Sequence, residues 1–320
     1  MNYVKLCLLG AAGTLGAAAL ALPATAATMA YSNQIVFGDS LVDAGNIFTL
    51  TGGATPNPST GYFQGRFTNG PDFTDLINVP IEGGFTSPSL LGGDNYAFGG
   101  ARIVNNSGFS AGGDPIPDLD FQVGTYLAAV GGNADPDALY TISAAGNDIF
   151  AIGRGETGPY TQEEYIALAA TRLVANVAAL DAAGARHILV MGVPNATTPV
   201  AADLESAILA GLATASLEAE IFSFDYFSFF GTLMTDPSVF GLPAMNLTDS
   251  CIDVRPVVNG DIDCTGIFSF DGTHFTAPIH RALADEVSLL VGLTEEVPAP
   301  GALLLFGIGA LALGIRRRAT

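Results

Sequence analysis

Four short runs of nearly unbroken apolar, β-rich residues punctuate the chain: "QIVFG" at 34–38, "ALYTISA" at 138–144, "HILVMGV" at 187–193 and "EIFSFDYF" at 220–227. "NYAFG" at 95–99 is a weaker fifth candidate. Continuous apolarity, rather than strict alternation, suits parallel strands buried on both faces. Between these runs the period changes. Ile166, Ala169, Leu173, Val177 and Leu180 recur at helical spacing behind Thr161 and Glu164, which form a capping box. Ile279, Leu283, Val287 and Leu290 give a second stripe after Thr276, with Pro278 in the first turn. Strands alternating with helices predict an α/β domain, a parallel sheet with right-handed crossovers and helices on both faces. The Gly-rich stretch from Thr51 to Gly113 has little periodicity and is expected to form long loops, where sites are often built.

Both ends depart from this pattern. Residues 1–26 carry one early charge, Lys5, then an apolar run closing on "ATAA", which describes a secretory signal peptide cut after Ala26. At the other end, 297–320 reads "VPAPGALLLFGIGALALGIRRRAT". Its uncharged segment, Gly301 to Ile315, is shorter than the roughly 20 residues that cross a bilayer untilted, and the three arginines would stay cytoplasmic. A bland reading is a weak C-terminal anchor. The Val-Pro-x-Pro start, apolar stretch and Arg cluster resemble a PEP-CTERM-type sorting signal, with Ala299 where Glu is usual. That resemblance implies an exosortase-type processing enzyme as partner and a Gram-negative host making exopolysaccharide. Export would be through the inner membrane, leaving the product at the cell surface or outside the cell.

The body between, 27–296, is long enough for one large domain with a full core, and shows no internal repeat or polar linker. Seven arginines and no lysine stand against 31 acidic residues, leaving the body near −24. Such a field repels nucleic acid and anionic membrane surfaces, and excludes function classes that depend on them. In an exported chain, Cys251 and Cys264 are expected to pair and close a short loop before Asp271.

In open parallel sheets, ligands bind beyond the carboxyl ends of the strands. Ser40 follows the first strand, with Gly38 permitting a tight turn, although a serine there could simply cap a helix. Gly146, Asn147 and Asp148 follow the 138–144 strand, while Gly99 and Gly100 follow the 95–99 segment. Asp271 and His274 precede the last helix, whose N-cap at Thr276 would hold the histidine in place. Of the other two histidines, His187 begins its strand at the opposite end of the sheet, and His280 is expected to be partly exposed on the last helix. Hydroxyl, glycine backbone, amide and Asp–His pair at one edge are the parts of nucleophilic acyl transfer. His274 would take the serine proton and Asp271 would hold the imidazole tautomer. The amide of Asn147 and the backbone N–H groups of Ser40 and Gly100 would donate to the oxyanion.

The segments "FGDSLVDAGN", "GYFQGRFTNGPDFTDLI", "NYAFGGA", "SAAGNDIF", "GARHILVMGVPN" and "FDGTHFT", in that order over residues 33 to 291, resemble the GDSL esterase/lipases of the SGNH hydrolase superfamily. The resemblance implies a flavodoxin-like three-layer α/β/α sandwich, with Ser40 as nucleophile, Gly100 and Asn147 completing the oxyanion hole, and Asp271 and His274 completing the triad. Gly99 remains an alternative donor to Gly100. The implied protein is an exported serine hydrolase of carboxylic esters, needing neither metal nor cofactor. Its substrate would be a small-molecule or lipid ester. A polysaccharide O-acetyl esterase, or a non-enzymatic surface or matrix protein keeping the fold, are the alternatives. Phe63, Phe67, Phe73, Phe85 and Phe109 are candidates to line an acyl groove, with core or loop packing the commoner role for such residues. Deleting Val297 to Thr320 should release soluble, fully active enzyme, and the native protein should lack the Arg cluster by mass spectrometry. Recovery of an intact C-terminus ending at Thr320 from the envelope would overturn this expectation.

Overall fold

The apolar runs become strands; the first three are buried on both faces, while the fourth is largely half-buried or exposed. The computed structural model describes residues 28–105, 108, 113–194 and 198–294, so both expected terminal segments and Phe109 lie outside the described residues. Strands β1 (Gln34–Gly38), β2 (Leu139–Ser143), β3 (His187–Met191) and β4 (Glu220–Phe224) pair in parallel in that order. In register, Gly38 lies opposite Ser143, so the carboxyl ends of β1 and β2 meet at one edge. The fifth candidate is not a full strand. Residues 94–98 run beside β1 through Val36 N–H to Asp94 O (3.0 Å), Tyr96 N–H to Val36 O (2.7 Å) and Phe98 N–H to Gly38 O (3.1 Å). Its ladder is cut short because Asn95 turns its own backbone groups to residues 87 and 89. With this segment on the outside of β1, the spatial order is that of flavodoxin-like sheets.

Nine helices are present among the described residues: α1 (Asn46–Leu50), α2 (Phe73–Glu82), α3 (Leu119–Ala129), α4 (Gly146–Arg154), α5 (Gln162–Ala183), α6 (Pro199–Thr214), α7 (Tyr226–Thr235), α8 (Cys251–Val254) and α9 (Ala277–Leu290). Alternate strand residues face opposite layers. Phe37, Tyr140, Ile142, Ile188 and Val190 join the cluster formed with α3, α4, α5 and α6. Val36, Leu139, Leu189 and Met191 join the cluster formed with α2, α7 and α9. The result is the expected three-layer sandwich. The predicted stripe of α5 is buried throughout, behind a Thr161–Glu164 capping box. By length and composition α5 could cross a membrane, but here that stripe belongs to the core.

Three expectations need correction. The 220–227 run leaves the sheet at Asp225, whose side chain accepts from Ser228 N–H and starts α7. The supposed loop from Thr51 to Gly113 contains α2, opened by an Asp72–Asp75 capping box. His280 is buried, not partly exposed: its Nδ1 accepts from Phe73 N–H (3.3 Å) and its ring stacks on Phe73. Burial first, and the charge of His274 second, pull its pKa down to about 3, so it stays neutral.

Two fastenings hold the irregular parts. Cys251 and Cys264 form the expected disulfide, with Cα atoms 5.6 Å apart. It ties a two-stranded parallel sheet, β5 (Asn246–Ser250) with β6 (Ile267–Ser269), that leads into Asp271. The second is a buried ion pair: Arg66 donates from Nε and Nη2 to the two oxygens of Asp75, at 2.9 and 2.8 Å. Thr86 donates to the same carboxylate through its backbone N–H and hydroxyl. Removing one partner would strand a charge away from water. Arg66→Met should therefore cost about 3–5 kcal/mol in denaturant melts. A loss under about 1 kcal/mol would show that Asp75 does not need its cation.

Candidate active site

The edge formed by β1 and β2 admits a turn only where side chains are absent. A Cβ at Gly38 would lie 2.0 Å from the Ser143 carbonyl oxygen, so only glycine lets β1 close on β2 there. Asp39 N–H bonds that same carbonyl (3.1 Å), and the side chain of Gln122 clasps both backbone groups of Gly38 at 2.8 Å. Ser40 emerges from this turn. On the β2 side, Ala145 takes a left-handed conformation (φ 93°), uncommon for a residue with a Cβ, and its carbonyl opens α4 with Asn147 in the first turn.

Asp271 and His274 arrive from the far end of the chain on the β6–α9 connection. Phe270 N–H bonds His274 O (2.7 Å) and Thr276 N–H bonds Phe268 O (3.2 Å), closing this connection into a tight turn. Thr276 is the N-cap of α9, as expected, through its backbone carbonyl, while its hydroxyl donates to Ile267 O. The turn presents the imidazole between the two other groups. His274 Nε2 lies 2.7 Å from Ser40 Oγ, and Nδ1 lies 2.8 Å from Asp271 Oδ2. Asp271 also accepts from the backbone N–H groups of Thr273 and His274 and from the Tyr62 hydroxyl, at 2.9–3.0 Å. Burial pushes the Asp271 carboxyl up, but the hydrogen bond and charge of His274, with the Tyr62 bond, outweigh it and hold it at about 2. It is an anion beside the ring at neutral pH. Phe67 covers the imidazole with ring centroids 5.0 Å apart, and a Cβ on Gly99 would lie 2.5 Å from that phenyl ring.

The candidate oxyanion donors come from three other segments. Ser40 N–H and Gly100 N–H have no acceptor among the described residues. Gly99 N–H is committed to Asp43 Oδ2 (2.9 Å), which weighs against it as the alternative donor. Asn147 donates from Nδ2 to Ala101 O (3.0 Å), leaving its second amide hydrogen free, and lines the cavity that holds Ser40 and His274. Buried carboxylates hold this side in place. Asp43 accepts from Gly45, Asn46 and Ile47 besides Gly99; Asp148 accepts from Ile103 N–H, Val104 N–H and the Tyr165 hydroxyl.

Thus Ser40, Gly100, Asn147, Asp271 and His274 gather at one edge, and His187 stands at the other end of β3. Tyr62, Phe67, Asp43 and Gln122 escape pattern reading, since each acts through contacts between distant segments. Phe73 lies in the core, Phe63 and Phe85 pair with each other, and neither they nor Phe67 line the cavity at Ser40. No group of three or more His, Cys, Asp or Glu able to hold a metal occurs among the described residues.

Residues 35–287 match the model of the GDSL-like lipase/acylhydrolase family, and residues 296–318 match the PEP-CTERM protein-sorting motif. The chain is 30% identical over 184 residues to a phosphatidylcholine-sterol acyltransferase of Aeromonas hydrophila, covering 57% of this chain and 50% of that protein. It is 27% identical over 293 residues to the thermolabile hemolysin of Vibrio parahaemolyticus, covering 80% and 63%. To lipase 1 of Photorhabdus luminescens it is 32% identical over 190 residues, covering 56% and 25%. The chain spans about half the length of the first of these relatives.

The buried acids around the site make stability depend on pH. Burial is the main cause raising Asp39 to about 7 and Asp43 and Asp148 to about 6. Unfolded, each would ionise near 3.8, so between about pH 4 and 7 the native state binds more protons than the unfolded one. Their contribution is full below pH 4 and is lost as pH rises to 7. His280, lowered to about 3, opposes them below its ordinary 6.5, and Asp271 weakens the fold only as pH falls from about 4 towards 2. Three carboxyls outweigh one histidine, so the melting temperature should be higher at pH 5 than at pH 8. A melting temperature that climbs steadily from pH 5 to 8 would contradict this balance.

Proposed function

We propose that this chain, which belongs to the GDSL-like lipase/acylhydrolase family, is an exported serine hydrolase that cleaves carboxylic esters through an acyl-serine intermediate. One observation carries the reading: a single imidazole bridges Ser40 Oγ at 2.7 Å and the Asp271 carboxylate at 2.8 Å. A hydroxyl is a weak nucleophile until a base removes its proton in the attack. His274 Nε2 takes that proton as Ser40 Oγ bonds the ester carbonyl carbon. Asp271 fixes the Nδ1–H tautomer and stabilises the imidazolium. The tetrahedral oxyanion receives bonds from Ser40 N–H, Gly100 N–H and the free amide hydrogen of Asn147. His274 then protonates the leaving alcohol. Water, deprotonated by the same nitrogen, releases the acid and restores the serine.

The sorting-motif match at 296–318 supports export, surface association in a Gram-negative bacterium and processing by an exosortase-type enzyme. It also keeps an O-acetylated exopolysaccharide in view as a substrate. A binding protein that merely kept the fold would need no imidazole held within hydrogen-bond reach of a serine and a carboxylate.

Turnover of p-nitrophenyl acetate by the wild type, absent in Ser40→Ala, tests the reading. Ser40→Ala with His274→Ala should be little worse than either alone, because the two act as one unit. Asn147→Ala should lower kcat by roughly 10²–10³ with KM changed much less, since its free donor matters most in the transition state. If that variant instead melts earlier with near-normal kcat, Asn147 serves only to tether Ala101.

A further inference from the structure

Beside the small cavity at Ser40 opens a much larger cleft of about 640 Å³. The two share Phe150, Pro194, Thr273 and Phe275 in their walls, so the cleft abuts the cavity at Ser40. Beyond the shared residues the cleft runs between α4 and α7 onto Phe230, Met234, Leu247 and Phe268. We propose that this cleft is an acyl-chain groove, and that the protein is built for esters of fatty acids of about eight carbons or more rather than for acetyl groups. The proposal rests on the acyl-serine reading above and specifies which acyl group that serine receives.

Three observations carry it. The first is position: the cleft adjoins the cavity at Ser40, within reach of a chain attached to a carbonyl carbon there. The second is chemistry. Pockets that select polar ligands present several converging polar groups, whereas this wall is formed mostly by aromatic and aliphatic side chains. Its one charged member, Arg154, lies over the Phe150 ring (5.7 Å) and donates to the Phe150 carbonyl. The third is size. An apolar cavity of about 150 Å³ takes a six-carbon ring, so a cleft of this volume accommodates a chain well beyond eight carbons. An acetyl group would leave nearly all of it empty.

The groove differs from the one expected of the loop phenylalanines. Its walls come from α4, α7, β5, β6 and the catalytic turn. Met234 and Leu247 are 45% and 48% exposed, placing them at the mouth rather than in the core. Gly153 of α4 faces the same space, and a Cβ added there meets nothing within 4 Å. A larger side chain at 153 can therefore fold into place and fill the groove.

The test is kcat/KM on p-nitrophenyl esters from acetate to palmitate. For the wild type it should rise about two- to fourfold per methylene as far as octanoate. Gly153→Trp should lower the octanoate-to-acetate ratio at least tenfold, and Leu247→Asp, at an exposed position, should lower it in the same direction. A flat or falling wild-type series with Ser40-dependent acetate turnover would overturn the groove and leave the hydrolase intact. Unchanged ratios in both variants would overturn it as well. Absence of turnover on every ester would count against the hydrolase itself. The groove would then be judged by calorimetry of decanoic acid on Ser40→Ala, where binding lost in Ser40→Ala with Gly153→Trp supports it and no binding sinks it.

Discussion

A carboxylate taken out of water must be given hydrogen-bond donors, and at Asp43 that requirement assembles the site. Its two oxygens take the N–H groups of Gly45, Asn46 and Ile47 from the segment that follows Ser40. They also take Gly99 N–H from a segment more than 50 residues further on. The neighbouring amides extend the joint: Asn46 donates to Asn95 O and Ala97 O, and Asn95 donates back to Val42 O. The 95–100 segment is thus hung on the Ser40 segment by side chains as much as by the sheet. Asp148 does the same for residues 103 and 104 from the start of α4. Gly100 and Asn147 hold their places relative to Ser40 because two buried acids would otherwise lack partners.

The base side is held by different means. His274 and Asp271 sit on a tight turn between β6 and α9, and the disulfide fixes the small sheet that feeds it. Tyr62 then reaches Asp271 and Phe67 lies against the imidazole, so one aperiodic stretch braces both members of the pair. The expected effect is a preorganised ring, with its tautomer chosen before substrate arrives.

Strands β1 to β3 were legible because burial on both faces leaves an unbroken apolar run, β4 because its run is rich in β-forming aromatics, and α5 because its stripe repeats over about four turns. α2 was not, since its short stripe of Phe73, Leu76, Ile77 and Ile81 sits within a Gly-rich stretch and Pro80 interrupts it. His280 was misplaced because a polar residue on a helix is ordinarily at the surface; here its ring fills the contact between α2 and α9 by accepting a helix-end N–H. The five candidate site residues could be placed because chemistry in a parallel sheet gathers at strand ends, a rule of topology. Tyr62, Phe67, Asp43 and Gln122 could not, because their partners lie 84 or 209 residues away, or in another turn of the fold, and no local pattern encodes such contacts. Gly99 looked equivalent to Gly100 in sequence; only the Asp43 bond separates them.

The hydrogen bond between Ser40 and His274 joins residues 234 positions apart. Ser40 therefore leaves the ribosome early, and His274 follows only 234 residues later. A chain that ends before residue 274 lacks the contact, and loss of α9 by proteolysis removes the support of the turn that carries His274. The contact is deferred accordingly: an intermediate that stops short of residue 274, however well folded its sheet, holds Ser40 without its imidazole partner.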